Sequence, residues 1–408
     1  MQVKDKEMGS QGTLWNKYLI WLIMIQTFTA LAYYGYVPLI PFMESEFSLS
    51  NTQVGWMTSS VFLGASIIAI PSGLITDKFG TKKSLFAFCF FLATVTALFY
   101  LTTSFVYILT LLFLLGCGYG GITPGTNKGI MEHFELSNRG TAMGLKQTGV
   151  SLGSILGTLA LPLIATYIGW RSSLLVLSLL LFILCTFHFK ILEESNIEYR
   201  KTGLIKGLLE VVKNKNMLKI IIIIVFFIWV QLSVMTYLVL YLLDTTNKTT
   251  VYALLCLALL QLGGAVGRSI WGAISDRYFS RKRGGILGII GIVSGILLLI
   301  FTMITDNMFF PIIAGVSFLL GVTTQGWNGI FVLLVSEVVR KEQIGLASGV
   351  GLASVYIGAV IGTPISGWII DRTGNYEVMW LICSFFMFLI GILIFWMKLD
   401  GNTKNLTI

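Results

Sequence analysis

Three cations stand in apolar surroundings. Arg268 lies in GAVGRSIWGAISDR (264–277), Lys128 in PGTNKG (124–129) and Lys146 in GLKQTG (144–149). An ionised side chain near the centre of a buried apolar helix costs about 2.5–3.5 kcal/mol on insertion scales. Such a cost points to a compensating partner. A guanidinium binds a planar carboxylate with two parallel hydrogen bonds and stays charged at any physiological pH. No Asp or Glu falls in the central part of an apolar stretch; Asp77, Asp276, Glu132 and Glu337 all lie near stretch ends. The implied chemistry is recognition of a small anion. A cationic cargo would be repelled, whereas an anion supplies the missing counter-charge.

At helical spacing Arg268 shares a face with Gln261, Gly264, Gly272 and Ser275. Small and polar residues of this kind line a cavity or meet another helix. The plainer alternative is snorkelling, since the helix end lies about 7 residues, roughly 10 Å, away. Lys146 sits one turn below the ladder Gly149, Gly153 and Gly157, which aims that face at a neighbouring helix. Lys128 follows Pro124 and Gly125, and Glu132 one turn later could pair with it or carry a coupling proton. Tyr33, Tyr237, Asn328 and Tyr356 lie deep enough to donate hydrogen bonds to an anion; tyrosines nearer span ends read as an interfacial belt. His133 and His188 read as boundary residues.

These residues need elements to hold them. The chain has 408 residues, 55% hydrophobic and 12% charged, with a mean hydropathy of +0.84. Soluble domains run nearer 25% charged, so this composition excludes an ordinary soluble enzyme. Twelve apolar stretches are long enough to cross a bilayer: about 18–42, 52–76, 83–102, 105–131, 141–167, 172–191, 218–243, 250–274, 284–304, 309–335, 345–369 and 376–397. The ten-residue alternation of barrel strands is missing, so the spans are helices. The first span is too long for a signal-peptide core, and no cleavage is expected. Three units follow: an N-terminal six-helix bundle (1–191), a polar cytoplasmic central loop with a surface helix (192–217), and a C-terminal six-helix bundle (218–408).

Lys and Arg set the orientation. With the N-terminus inside, only Arg171, Lys248 and Arg372 fall outside, and Lys128, Lys146 and Arg268 fall within spans. The net charge of +9 is therefore a topology signal rather than a nucleic-acid footprint. The five cysteines lie in apolar stretches without metal-ligand spacing, so neither a metal nor another cofactor is expected.

The halves repeat. At a constant offset of 205, Gly140, Ala142, Gly144, Gly153, Gly157 and Thr158 match Gly345, Ala347, Gly349, Gly358, Gly362 and Thr363. GLITDKFG (73–80) is echoed by GAISDRYF (272–279) after the eighth span. Duplicated halves with a site at their interface are a transporter architecture.

Gly73, Asp77, Lys78, Gly80, Lys82 and Lys83 now carry a resemblance. With twelve spans and a central loop they resemble the major facilitator superfamily pattern G-x-x-x-D-[R/K]-x-G-[R/K]-[R/K], departing from it at Thr81. The resemblance implies an all-α integral membrane fold, twelve transmembrane helices in two pseudo-symmetric six-helix bundles, and alternating access to a central site. Arg268, Gly272, Ser275 and Asp276 look like the arginine-bearing stretch of monocarboxylate and oxalate/formate carriers, where that arginine binds substrate carboxylate. PGTNKG, Arg139-Gly140 and GLKQTG look like anion:cation symporters and cyanate or nitrate/nitrite relatives, some with a basic residue facing the cavity at the Lys128 position.

The expected function is secondary transport of a small organic anion, not catalysis, by proton-linked symport or by anion exchange. Asp77 and Lys78 with Arg139, and Asp276 with Arg277, read as gate residues. A monomer in the cell membrane with both termini cytoplasmic is expected. A lipophile efflux antiporter would place Gly-Pro in span five, but Pro162 stands apart from Gly157; a receptor or scaffold of this fold would carry a large soluble appendage.

Overall fold

The computed structural model describes residues 16–191, 213–278, 283–339 and 344–397. The central loop proposed for 192–217 lies almost wholly outside the described residues.

Among the described residues, twelve spanning helices run in chain order. The first half holds α1 (Lys17–Tyr34), α2 (Asn51–Phe79), α3 (Thr81–Leu98), α4 (Phe105–His133), α5 (Leu136–Ile168) and α6 (Trp170–Ile191). The second holds α7 (Lys215–Thr245), α8 (Thr250–Tyr278), α9 (Arg283–Phe301), α10 (Phe310–Thr324, continued by Asn328–Glu337), α11 (Ile344–Thr373) and α12 (Tyr376–Met397). Eleven helices are individually long and apolar enough to span, and α2, bent by 48° around Pro71, makes the twelfth. Proline removes one backbone donor and clashes with the preceding turn, which accounts for the bend.

Local signals place the helix ends. Ser50 and Gln53 form a capping box at the start of α2. Ser104 caps α4, and Asn214 caps α7. The turn from α5 to α6 uses Gly169 at φ 84°, and its repeat mate Gly374, at φ 65°, makes the turn from α11 to α12.

Each half is built from the same three pairings: α1 with α5, α2 with α4 and α3 with α6, then α7 with α11, α8 with α10 and α9 with α12. Missing side chains explain the closeness. A Cβ on Gly153 would run into the Thr27 carbonyl of α1, and one on Gly358 would meet Ile228 and Val225 of α7. Gly64 and Gly116 do the same for α2 and α4, as Gly263 and Gly321 do for α8 and α10. Without a hydrophobic drive between helices in lipid, such backbone approach is what holds them.

The halves meet along two seams, α2 against α11 and α5 against α8. Loops alternate between a basic face, bearing Lys78, Lys82, Lys83 and Arg139, and a far face bearing Arg171, Lys248 and Arg372. Among the described residues, every hydrogen bond joining the halves lies nearer the far face.

Candidate functional site

Arg268 lies on α8 about 7 residues, roughly 10 Å of helix rise, from Gln261 toward the basic face. Gln261 and Thr158 exchange hydrogen bonds across the α5–α8 seam at 2.9 and 3.2 Å. The guanidinium therefore sits beneath a closed stretch of the interface. Its Nε is buried without a hydrogen-bond partner, and among the described residues no carboxylate pairs with it. Tyr34 of α1 and Tyr119 of α4 lie within electrostatic reach. Tyr33 stacks on Tyr119 with ring centroids 4.1 Å apart and an 18° interplanar angle, and Tyr34 stands edge-on to Tyr33 at 4.7 Å. Tyr356, from α11, approaches the same cluster. Phenols from one half thus face a guanidinium from the other.

Lys146 is 1% exposed. Its Nζ donates to Asn127 Oδ1 at 2.6 Å and to Thr126 Oγ1 at 3.4 Å, both neutral oxygens on α4. From Thr126 a polar chain leads onward. Thr126 Oγ1 lies 3.2 Å from Gln26 Oε1, and Gln26 Nε2 donates to the Tyr119 hydroxyl at 3.1 Å. This chain joins the Lys146 ammonium to the tyrosine cluster beside Arg268. Tyr119 and Gln26 were absent from the sequence-derived candidates. Both are uncharged, and Tyr119 sits in the glycine run GCGYGG, which reads simply as close packing.

Other candidates fall elsewhere. Lys128 Nζ donates to Asp77 Oδ1 at 2.9 Å and to the Thr76 carbonyl at 3.1 Å. The partner comes from α2 rather than from Glu132 one turn along, because the α2–α4 contact brings the two helix ends together. Glu132 keeps both carboxylate oxygens buried and without a hydrogen-bond partner. Arg139 does not meet Asp77; it donates to the carbonyls of Met131 and Phe134 and closes the α4–α5 turn. Lys78 is exposed, over the Phe79 ring, and Arg277 is exposed at the end of α8. Asp276 lies one residue before Arg277 on the same helix.

Tyr237, on α7, lies at the border of α2 and α11. Its hydroxyl donates to the carbonyls of Asn51 and Thr363, at 2.8 and 3.0 Å, and so ties the seam near the far face. Asn328 stands where α10 breaks, donating to the Gln325 carbonyl at 2.8 Å and to Gln231 Oε1 at 3.3 Å. Gln325 packs against Gly264, one turn from Arg268.

The far face is held by a residue outside the expected set. Asp371, near the end of α11, accepts from Asn51 N (2.9 Å), Asn51 Nδ2 (3.0 Å), Thr52 N (2.8 Å) and Thr52 Oγ1 (2.5 Å). These groups form the first turn of α2, whose free N–H groups and positive dipole end favour a carboxylate. Tyr376 OH donates to Asn51 Oδ1 at 2.8 Å. A signal existed: GWIIDRTG (367–374) repeats the G-x-x-x-D-[R/K]-x-G spacing of GLITDKFG (73–80).

Comparison with known proteins follows from this geometry. A family model described as Major Facilitator Superfamily matches residues 22–362 and 279–407. The hexuronate transporter of Bacillus subtilis (strain 168) is 22% identical, over 84% of this chain and 85% of its own. A probable sulfoacetate transporter of Cupriavidus necator is 24% identical, over 84% of each chain. Monocarboxylate transporter 12 of Xenopus laevis is 22% identical, over 89% of this chain and 84% of its own. Among solved structures, a bacterial homologue of the human lysosomal transporter Spinster, inward-facing and unoccupied, superposes with a TM-score of 0.82. It is 16% identical, over 96% of this chain and 98% of that one. The nucleoside transporter NupG gives a TM-score of 0.79 at 15% identity, over 93% and 99%. These structures share the fold.

Proposed function

Because the chain belongs to the Major Facilitator Superfamily, we propose that it carries a small organic anion, a carboxylate in its simplest form, across the cell membrane by alternating access. The family and the transporter relatives make it a membrane transporter and not an enzyme. The sign of the cargo is our inference. One observation carries it: a guanidinium beneath a closed seam, with no carboxylate partner among the described residues and with tyrosines from the opposite half around it.

Arg268 would hold the carboxylate, Tyr33, Tyr34, Tyr119 and Tyr356 would donate hydroxyl hydrogen bonds, and Asn328 would line the C-terminal side. With the basic face cytoplasmic, the closed far face makes this an inward-facing state. Asp371 then holds the outer gate, while Asp77, Lys128, Asp276 and Arg277 lie at the inner one. Proton-linked symport is the coupling we favour, with Glu132 as the candidate carrier, since its buried oxygens have no fixed donor.

The test is a thermal-shift screen of purified protein against small carboxylates, followed by uptake into proteoliposomes. A ligand at a hundred times its dissociation constant stabilises by about 2.7 kcal/mol. Arg268→Gln should abolish that stabilisation and uptake while leaving the unliganded melting temperature near that of the wild type. Undiminished anion binding in the variant would refute the reading. For coupling, collapsing the proton gradient should halt uphill uptake, and Glu132→Gln should retain counterflow only.

A further inference from the structure

We infer that the cargo is a dianion, a carboxylate that bears a second ionised acid group. This rests on the anion reading above and narrows it. Arg268 is one positive charge without a carboxylate partner among the described residues. Lys146 is the second, 1% exposed and held only by the neutral oxygens of Asn127 and Thr126.

The two cations come from opposite halves, on α8 and α5, the helices of one seam. They are joined by one polar path: Thr126, Gln26 and Tyr119 lead from the ammonium to the phenol that lies within electrostatic reach of the guanidinium. The other embedded basic residue is already matched, Lys128 by Asp77. The unpartnered Glu132 lies about 6 residues beyond Thr126, roughly 9 Å of helix rise closer to the basic face.

Charge balance then sets the cargo. A monoanion neutralises Arg268 and leaves the buried ammonium with only dipoles, while a dianion matches both. Unpaired buried charge is the dominant electrostatic cost in a dry interior, and one neutral asparagine and one threonine offset only part of it. Two of the three Nζ donors are engaged, so Lys146 retains one for a ligand oxygen or acts through the Thr126–Gln26–Tyr119 path.

The experiment measures dissociation constants at neutral pH for sulfoacetate, malonate and succinate against acetate, propionate and butyrate. It uses wild type, Lys146→Gln and Lys146→Arg. Sulfoacetate is included because its sulfonate does not titrate.

Wild type should prefer dianions by at least about tenfold. Lys146→Gln, whose amide can still reach Asn127 and Thr126, should erase that preference by weakening dianions alone. Lys146→Arg should restore it. Equal or stronger binding of monoanions by the wild type overturns the inference while the anion site stands. So does a Lys146→Gln effect common to both classes. Binding of neither class by the wild type overturns the anion reading itself.

Discussion

At the scale of single residues, what a charge does depends on who stands beside it. Lys128 and Lys146 look alike in sequence, each standing in a short glycine-bounded run within an apolar stretch. In the structure one meets Asp77 and the other meets only amide and hydroxyl oxygens. Spacing along one helix could not show this, because Asp77 lies 51 positions away on another helix. Lys128→Gln should therefore change anion affinity by less than about fivefold, since its partially exposed ion pair is worth at most about 1 kcal/mol. Arg268 was legible because an uncompensated guanidinium is costly anywhere in an apolar stretch. Tyr119 and Gln26 were not, because a neutral side chain leaves no such mark.

A second residue-scale expectation concerns the far face. Asp306 accepts from the Asn247 backbone N–H and from Asn247 Nδ2, both at 2.8 Å, and these bonds hold its carboxyl below the ordinary aspartate range. A depressed folded-state pKa means the contact contributes above the unfolded value, about 3.9. That contribution fades as pH falls through the folded value. The protection of the Asn247 amide, taken relative to its intrinsic exchange rate at each pH, should fall under acid conditions below that range, and in Asp306→Ala it should be lost at neutral pH as well.

At the scale of helices, the repeated glycines read correctly from the sequence. A substitution there tests the packing directly. Gly153→Val and Gly358→Val each put a branched side chain where a neighbouring helix backbone or Ile228 already lies. Each should destabilise by about 1–3 kcal/mol, seen as a lower melting temperature in detergent, whereas Gly73→Ala, with open space around it, should not. The clamp between α11 and α2 makes a separate prediction. Asp371→Ala removes four acceptor contacts from the first turn of α2. Spin labels on the far ends of the two helices should then report a larger separated population than in wild type. The D-R-x-G spacing at 371–374 repeats the 77–80 pattern, but a carboxylate at a span end does not stand out as one in mid-span would, and its partners lie more than 300 positions away.

At the scale of the molecule, the twelve spans followed from apolar length and the duplication from repeated small residues, because bilayer thickness and backbone satisfaction leave few alternatives; which helices pair did not. The conformation did not follow. Which seam is closed depends on contacts such as Tyr237 to Asn51 and Thr58 to Thr236, each under 3.1 Å, that join distant parts of the chain. Nor is the chemistry symmetric. The repeat matches Lys146 with Gly351, so one half contributes an ammonium where the other contributes bare backbone.

The carbonyl-close approach inside each half has a mechanical corollary. Helices that touch backbone to backbone cannot slide without collision, so the pairs inside each half move together; Gly55 and Gly367 make the same close approach between α2 and α11 near the closed far face, and that border must part as a unit. A covalent tether between α1 and α5 should be silent, whereas one spanning α5 and α8 near Thr158 and Gln261 should arrest turnover. The molecule then moves as two stiff shells around a shared polar centre, and any ligand too bulky to let the borders exchange places becomes a wedge.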